Sequence, residues 1–296
     1  MYLGIDVGGT KIAAALVDSD GNRAEKIREP VDLSDDKSAI DQIKRIIAGL
    51  QRPEAGGWRR EMAGIGVAVP GIADQQRRTV WAPNIRGWDH IPLQDQLQSA
   101  AGLPVTVESD RNSGVLGEWL YGAARGKCDV IFLIIGTGIG AGIISGGNLV
   151  RGRRDIGGAV GWFPMCFRGS VQHFEKVAAG PAIENIAAAM GLPGDLPELA
   201  RTARSGNRPA AELFTEVGAI VGQALAVLVS TFNPELVILG GGVSYAWELM
   251  QDSAQSSMRL WGQPIAVEQV ELRVSRLGED AGILGAAAAA RFNQSL

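Results

Sequence analysis

The chain has 296 residues, a length that at about 150 residues per domain points to two domains. Hydrophobic residues make up 46% and charged residues 20%, which excludes a disordered chain, and 28 Lys plus Arg against 32 Asp plus Glu leave no cationic surplus for a nucleic-acid backbone or an anionic membrane. Two cysteines, Cys128 and Cys166, are too few for a disulfide framework or a four-ligand zinc site, so a reducing cytoplasm is expected.

In chain order, the opening run MYLGIDV reads as a strand without the basic start and apolar core of an export signal. Short β-branched runs bounded by glycine predict strands at Leu3–Val7, Ile12–Val17, Ile65–Val69, Val105–Glu108 and Val130–Ile135. Helical spacing of Ile40, Ile43, Ile46, Ile47 and Leu50 predicts a helix over Asp35–Leu50, and a second follows the strand at Val105 over Arg111–Gly122. The longest apolar run, Val130–Ile144, is broken by four glycines and is shorter than a membrane helix requires. Farther on, Ala211–Thr231 reads as a long buried helix, Leu236–Leu239 as a strand, Ser244–Trp261 as a helix, Val267–Val274 as a strand and Asp280–Phe292 as a closing helix. The polar stretch Asp195–Pro209 reads as a loop. This alternation defines an α/β chain.

The chain carries 40 glycines, and they gather where backbone must approach something. YLGIDVGGTKIAAALVDSDGN and IFLIIGTGIGAGIISGGN are alike, each a strand, a glycine turn, a strand and a polar turn. Such turns bring backbone N–H groups close to an anion, so two of them suit a polyphosphate. In the first, Asp6 offers a carboxylate for hydrated Mg²⁺, and Gly8, Gly9, Thr10 and Lys11 add a bend, a hydroxyl and an ammonium; an ordinary hairpin is the plainer reading. The second, Gly136-Thr137-Gly138, is weaker alone, and no GxxxxGK[ST] motif occurs. The third cluster, Gly240-Gly241-Gly242, is either a surface for a base or ribose or a tight strand-to-helix turn. Asp110, at the start of a helix after a strand, is either a general base or that helix's N-cap. The segment Trp81-Ala82-Pro83-Asn84 with Gly87-Trp88 supplies an amide and aromatics suited to a sugar face, or else buried anchors.

In LGIDVGGTK, GVAVPGIAD, WAPNIRGW, VTVESDRNSGVLGE, IIGTGIGAGII and LVILGGGVS, in that order, the chain resembles the ROK family of bacterial sugar kinases and repressors. The resemblance implies two actin-like (ribonuclease H-like) domains with the active-site cleft between them: 1–116 with the returning helix 279–296, and 117–278. It implies ATP and Mg²⁺ as cofactors, Asp110 as catalytic base, Asp6 on Mg²⁺ through water, Gly8–Lys11 and Gly136–Gly138 on phosphates, and Gly241 and Gly242 on adenosine. Gly71, Asn84, Ser109, Asp110 and Glu175 stand at its sugar-binding positions, and a cytoplasmic homodimer is expected. This chain also departs from the pattern: Ser109 replaces an Asn, Ala159 and Trp162 replace the Glu and His of GExGH, and the zinc signature keeps only Cys166 and His173, so no structural zinc is expected. The altered pocket favours a non-standard hexose, an amino sugar, a cyclitol or a larger glycoside stacked on Trp162. An idle sugar sensor and a polyphosphate donor are the alternatives; the repressors of the family carry a DNA-binding segment ahead of the first glycine turn, which here begins at Asp6.

Overall fold

The computed structural model describes residues 1–51 and 62–294, so the parts of the expected first domain at 52–61 and 295–296 lie outside the described residues. The chain divides into two compact units, one of 1–126, 151–157 and 276–296 and the other of 127–150 and 158–275.

Unit 1 opens with β1 (Tyr2–Val7), β2 (Lys11–Val17) and β3 (Arg23–Pro30), followed by α1 (Ser38–Leu50) and β4 (Gly64–Val69). A small hairpin, β5 (Ile72–Asp74) and β6 (Thr79–Trp81), precedes α2 (Leu93–Ala101), β7 (Val105–Ser109) and α3 (Asp110–Tyr121). Its five-stranded sheet has the order β3-β2-β1-β4-β7, antiparallel among the first three strands and parallel among the last three. The period-2 alternation of a strand decides the layers: Leu3, Ile5, Val7, Ile65 and Val67 join the apolar cluster with the isoleucines of α1, whereas Gly4 and Gly66 pair in register on the opposite face. There the C-terminal helix, Ala281–Gln294, lies on the sheet. A Cβ at Gly4 would stand 2.1 Å from the Ile283 carbonyl oxygen, and one at Gly66 1.7 Å from that of Ala286. Glycine on the strands and alanine on the helix thus allow close approach. α3 packs along this same helix, with Trp119 edge-on to Phe292 at 5.8 Å, and the first unit runs on to Gly126.

Unit 2 repeats the arrangement. Its elements are β8 (Val130–Ile135), β9 (Ile139–Ser145), β10 (Asn148–Leu149), a hairpin of β11 (Pro164–Phe167) and β12 (Ser170–His173), α4 (Glu175–Ala178), α5 (Gly180–Ala189), α6 (Leu196–Arg204), α7 (Arg208–Phe232), β13 (Leu236–Gly240), α8 (Gln251–Trp261), α9 (Pro264–Gln269) and β14 (Glu271–Val274). The sheet order β10-β9-β8-β13-β14 again places an antiparallel trio beside parallel strands, which is the structural counterpart of the sequence repeat. α7 is long and apolar enough to cross a membrane, but two-thirds of its apolar window is buried in this unit's core.

Three expectations are corrected. The polar stretch after Asp195 contains α6, because the Asp195 side chain caps the Glu198 N–H at 2.9 Å and Leu196, Leu199, Ala200 and Ala203 form a buried stripe. The strand expected from Val267 begins only at Glu271, since Pro264 and the Gln263 side chain, which accepts from the Ala266 N–H at 2.7 Å, start α9 first. The helix expected over Ser244–Trp261 is a 3₁₀ run, Gly242–Leu249, followed by α8.

Candidate active site

In unit 1 the first glycine turn closes with the Gly8 N–H donating to the Lys11 carbonyl at 2.8 Å, while Gly9, Thr10 and Lys11 face solvent. Their exposure leaves the hydroxyl and ammonium available to an anion. Asp6, the last but one residue of β1, points toward the start of the C-terminal helix; a Cβ at Gly282 would lie 2.2 Å from its carboxyl carbon. Burial, and next the charge of Asp110, raise the Asp6 carboxyl to a pKa of about 6, against the lowering influence of Lys11 and Arg28. A hard carboxylate with one open side and cations nearby suits a hydrated Mg²⁺ shared with phosphates, since that ion takes one or two protein carboxylates and keeps its waters.

The raised pKa has a testable sign. The folded chain holds the Asp6 proton at a pH where the unfolded chain has lost it, so stability falls as pH rises from about 4 through about 6, by at most about 3 kcal/mol. Asp6→Asn should flatten that part of the pH dependence in urea unfolding without Mg²⁺. An unchanged slope in the variant contradicts the assignment.

At the end of β7 the structure separates two roles that sequence left open. Ser109 is the N-cap of α3, its hydroxyl facing the Asn112 N–H at 3.4 Å, and it has no exposed surface. The cap uses one lone pair of the hydroxyl and leaves its O–H as a donor. Asp110 is left as the first helical residue, with Oδ1 accepting from the Arg111 N–H at 2.8 Å, a further bond from its own backbone N–H, and part of its surface open. Burial raises its pKa, with Arg111 acting in the opposite sense. A carboxylate bonded to local backbone N–H groups, and close enough to Asp6 for their charges to interact, is suited to accept a proton.

In the loop after β6, Asn84 is exposed, but Trp88 is 2% exposed and belongs to the apolar cluster under the sheet, so this aromatic is an anchor and not a stacking surface. Trp81 stays 38% exposed. Gly71 has φ 128° with its Cβ position 2.3 Å from the Trp81 carbonyl oxygen, and its own carbonyl accepts from Arg111 Nη1 at 3.4 Å.

Unit 2 gathers the other expected groups. The Gly136 N–H donates to the Gly138 carbonyl at 2.9 Å and the Gly136 carbonyl accepts from the Gly180 N–H at 2.8 Å, leaving Thr137 and Gly138 exposed. The Cβ position of Gly136 lies 4.0 Å from the Gly242 N, so the second and third glycine clusters adjoin. Gly241 adopts φ 83° with its Cβ position 2.3 Å from the Ile135 carbonyl oxygen; Gly242 is open. Glu175 accepts from the Ile139 N–H at 2.9 Å and stands 2.9 Å from the Cβ position of Gly138 and 3.2 Å from that of Gly161. Beside them Trp162, 71% exposed, packs against His173 with ring centroids 4.8 Å apart. Cys166 is an exposed free thiol, and among the described residues no three His, Cys, Asp or Glu side chains group as metal ligands. The β11–β12 hairpin is held by its strand pairing and by buried Met165, Phe167 and Phe174.

The structure adds four charged residues that motif reading passed over. Glu108 and Asp155 are buried, and Arg151 binds both; Arg111 is nine-tenths buried and bonds to the carbonyls of Asp155 and Gly157. The available signal was a Glu and an Arg flanking Asp110 at the end of an apolar strand, where a charge needs a partner.

The two units, each with an antiparallel trio continued by parallel strands and a glycine turn in its first hairpin, are the domains of an actin-like α/β fold. The sequence pattern of the ROK family matches residues 2–292. The chain is 34% identical to a glucokinase of Thermotoga maritima over 96% of its own length and 95% of that protein's. Among solved structures it is similar to the ROK hexokinase of Thermus thermophilus, with TM-score 0.84 and 33% identity over 99% of both chains. It is similar also to a ROK family glucokinase of Streptomyces griseus in complex with glucose and AMPPNP, with TM-score 0.77 and 34% identity over 98% of this chain and 99% of the other. The chain belongs to the ROK family.

Proposed function

We propose that this chain, a carbohydrate kinase of the ROK family, transfers the γ-phosphoryl group of ATP to a hydroxyl of a sugar or sugar-like polyol, with Asp110 as the base. The observation that carries the reading is the state of Asp110: Ser109 caps the helix in its stead, so the carboxylate keeps its acceptor capacity beside Asp6 and the first glycine turn. Asp110 accepts the proton of the attacking hydroxyl. Lys11 and the turns Gly8–Lys11 and Gly136–Gly138, closed by the Gly8 and Gly136 N–H groups, hold phosphate oxygens, and Gly241 and Gly242 give the adenosine a backbone surface without side chains. Asp6 holds Mg²⁺ through water; the ion supplies charge neutralisation on the phosphates.

Gly71, Asn84, Ser109 and Glu175 bind the acceptor together with Asp110. With Ala159 and Trp162 where hydroxyl-reading Glu and His stand in the family pattern, the pocket has fewer polar partners, and an exposed indole packed on His173 offers a flat apolar face. The acceptor is therefore a hexose other than plain glucose, an amino sugar, a cyclitol or a glycoside, phosphorylated on its primary hydroxymethyl where it has one. The chain works as a cytoplasmic homodimer.

Coupled ADP release with ATP and Mg²⁺, over hexoses, amino sugars, deoxy sugars, cyclitols and glycosides, tests this. Turnover is expected on one of these classes at a kcat/KM at least tenfold above that for glucose. Equal or better use of glucose overturns the substrate class. Silence across the panel and with polyphosphate, despite sugar-dependent thermal stabilisation, overturns the kinase in favour of a sensor.

A further inference from the structure

The segment 151–157 leaves unit 2 after β10, packs on unit 1, and returns at Gly158. Its attachment is unusually polar for so short a stretch. Arg151 bridges two buried carboxylates, binding Glu108 through Nη1 and Asp155 Oδ1 at 3.3 Å, and its Nη2 donates to Asn293 Oδ1 at 3.4 Å. The Glu108 carboxylate also accepts from Asn112 Nδ2 at 2.9 Å and the Ser109 N–H at 3.0 Å, and Asp155 Oδ2 from the Gln75 N–H at 2.9 Å. Arg111 completes the attachment from the other side of Asp110, with Nη2 on the Asp155 carbonyl at 2.7 Å and Nε on the Gly157 carbonyl at 3.0 Å. Arg154 and Asp155 both sit at φ 58°, a left-handed conformation costly for such residues, which the bonds on either side hold in place.

The two carboxylates and two guanidiniums balance in charge, and apolar side chains of similar volume would anchor a strap as firmly without taking ions out of water. What ions give is direction. Glu108 and Arg111 stand on either side of Asp110 in the chain, so the residues that fix the strap are near neighbours of the base, and the guanidinium of Arg111 donates to strap carbonyls. Beyond the strap the chain runs straight into Gly158–Trp162, which carries Ala159 and Trp162. Gly158 has φ 81° and its carbonyl accepts from the Ala141 N–H at 2.8 Å, so the segment that continues from the strap is itself held to β9.

We propose that Glu108, Arg111, Arg151 and Asp155 are positioning residues that lock the strap 151–157 to the strand end bearing Asp110 and thereby set how tightly the acceptor binds. The proposal rests on the reading of Asp110 as base and of Ala159–Trp162 as acceptor segment. Two measurements on the full chain test it, with Glu108→Gln, which keeps the side-chain shape, and Arg151→Lys, which keeps the charge and loses the fork. Hydrogen exchange without ligand should show the Gly157 and Gln75 amides of Glu108→Gln exchanging at least tenfold faster, with β8 and β9 unchanged. Kinetics with glucose, or a better acceptor from the panel, should show for Glu108→Gln the acceptor KM raised at least tenfold and the KM for ATP within twofold, a smaller rise for Arg151→Lys, and no further loss in Glu108→Gln/Arg151→Lys beyond the worse single variant.

Unchanged exchange in the strap, or acceptor and ATP constants that move together, overturns the proposal. If Glu108→Gln does not fold, Arg151→Lys carries both readouts. An inactive Asp110→Asn alongside an unaltered acceptor KM in the strap variants leaves the base and removes the strap; an active Asp110→Asn alongside a raised acceptor KM does the reverse.

Discussion

Replacing Asp110 by Asn should lower kcat by about 10³-fold while acceptor binding changes little, because the substitution keeps the volume and the hydrogen-bonding shape but removes the carboxylate proposed to accept the proton. The loss is bounded, since in-line positioning and charge neutralisation on the phosphates, which carry most of phosphoryl transfer, remain in place. The pH profile supplies a second signature. Burial raises the Asp110 carboxyl above the ordinary aspartate range, so wild-type kcat falls as acidity protonates it, and the residual rate of Asp110→Asn lacks that limb. A variant within tenfold of wild type, with the same acid limb, removes Asp110 from the chemistry. Isothermal titration with the acceptor in both proteins separates lost chemistry from lost binding.

The second large effect is on stability and arises far from any ligand. Gly66→Ala places a methyl group 1.7 Å from the Ala286 carbonyl oxygen, a distance no atoms tolerate, and the obstacle is helix backbone that no rotamer change can move. The C-terminal helix must lift from the β1–β4 surface, uncovering buried Ile283, Leu284 and Ala287, and about 3 kcal/mol of stability should be lost. The same displacement takes Gly282 away from Asp6, so Mg²⁺-dependent activity should fall with stability. Gly49→Ala is the control. Nothing lies within 4 Å of its Cβ position inside α1, and there alanine should stabilise by roughly 0.5–1 kcal/mol. Urea unfolding measures both; a Gly66→Ala midpoint equal to wild type contradicts the close packing of this helix.

What was legible in the sequence follows from what each signal measures. Apolar alternation reports burial, so β1, β4 and β8 were found within a residue, and the glycine turns were found because they break that alternation at fixed places. α6 was missed because the polar residues and glycine of ARTARSGNR outweighed four stripe positions, Leu196, Leu199, Ala200 and Ala203. β-branched Val267 and Val270 argued for a strand, although Pro264 and Gln263 were already a helix start. At the site, the motif located Asp110 but not the division of labour with Ser109, since capping depends on φ and ψ at one residue, −65° and 152° at Ser109, that composition does not report. Trp88 and Trp81 read alike in sequence and differ in the fold, one beneath the sheet and one at the surface. The Glu108–Arg151 pair joins residues far apart in the chain, and such a partner becomes visible only when topology brings it in.

Phosphorus NMR of ATP, Mg²⁺ and the best acceptor, incubated with wild type and with Asp110→Asn, follows the transferred group directly. Transfer to a carbohydrate hydroxyl predicts one new phosphomonoester signal growing one-for-one with ADP in the wild type and near-absent from the variant over the same time. Inorganic phosphate in place of the monoester, or an equal monoester signal from both proteins, contradicts a kinase that uses Asp110 as its base.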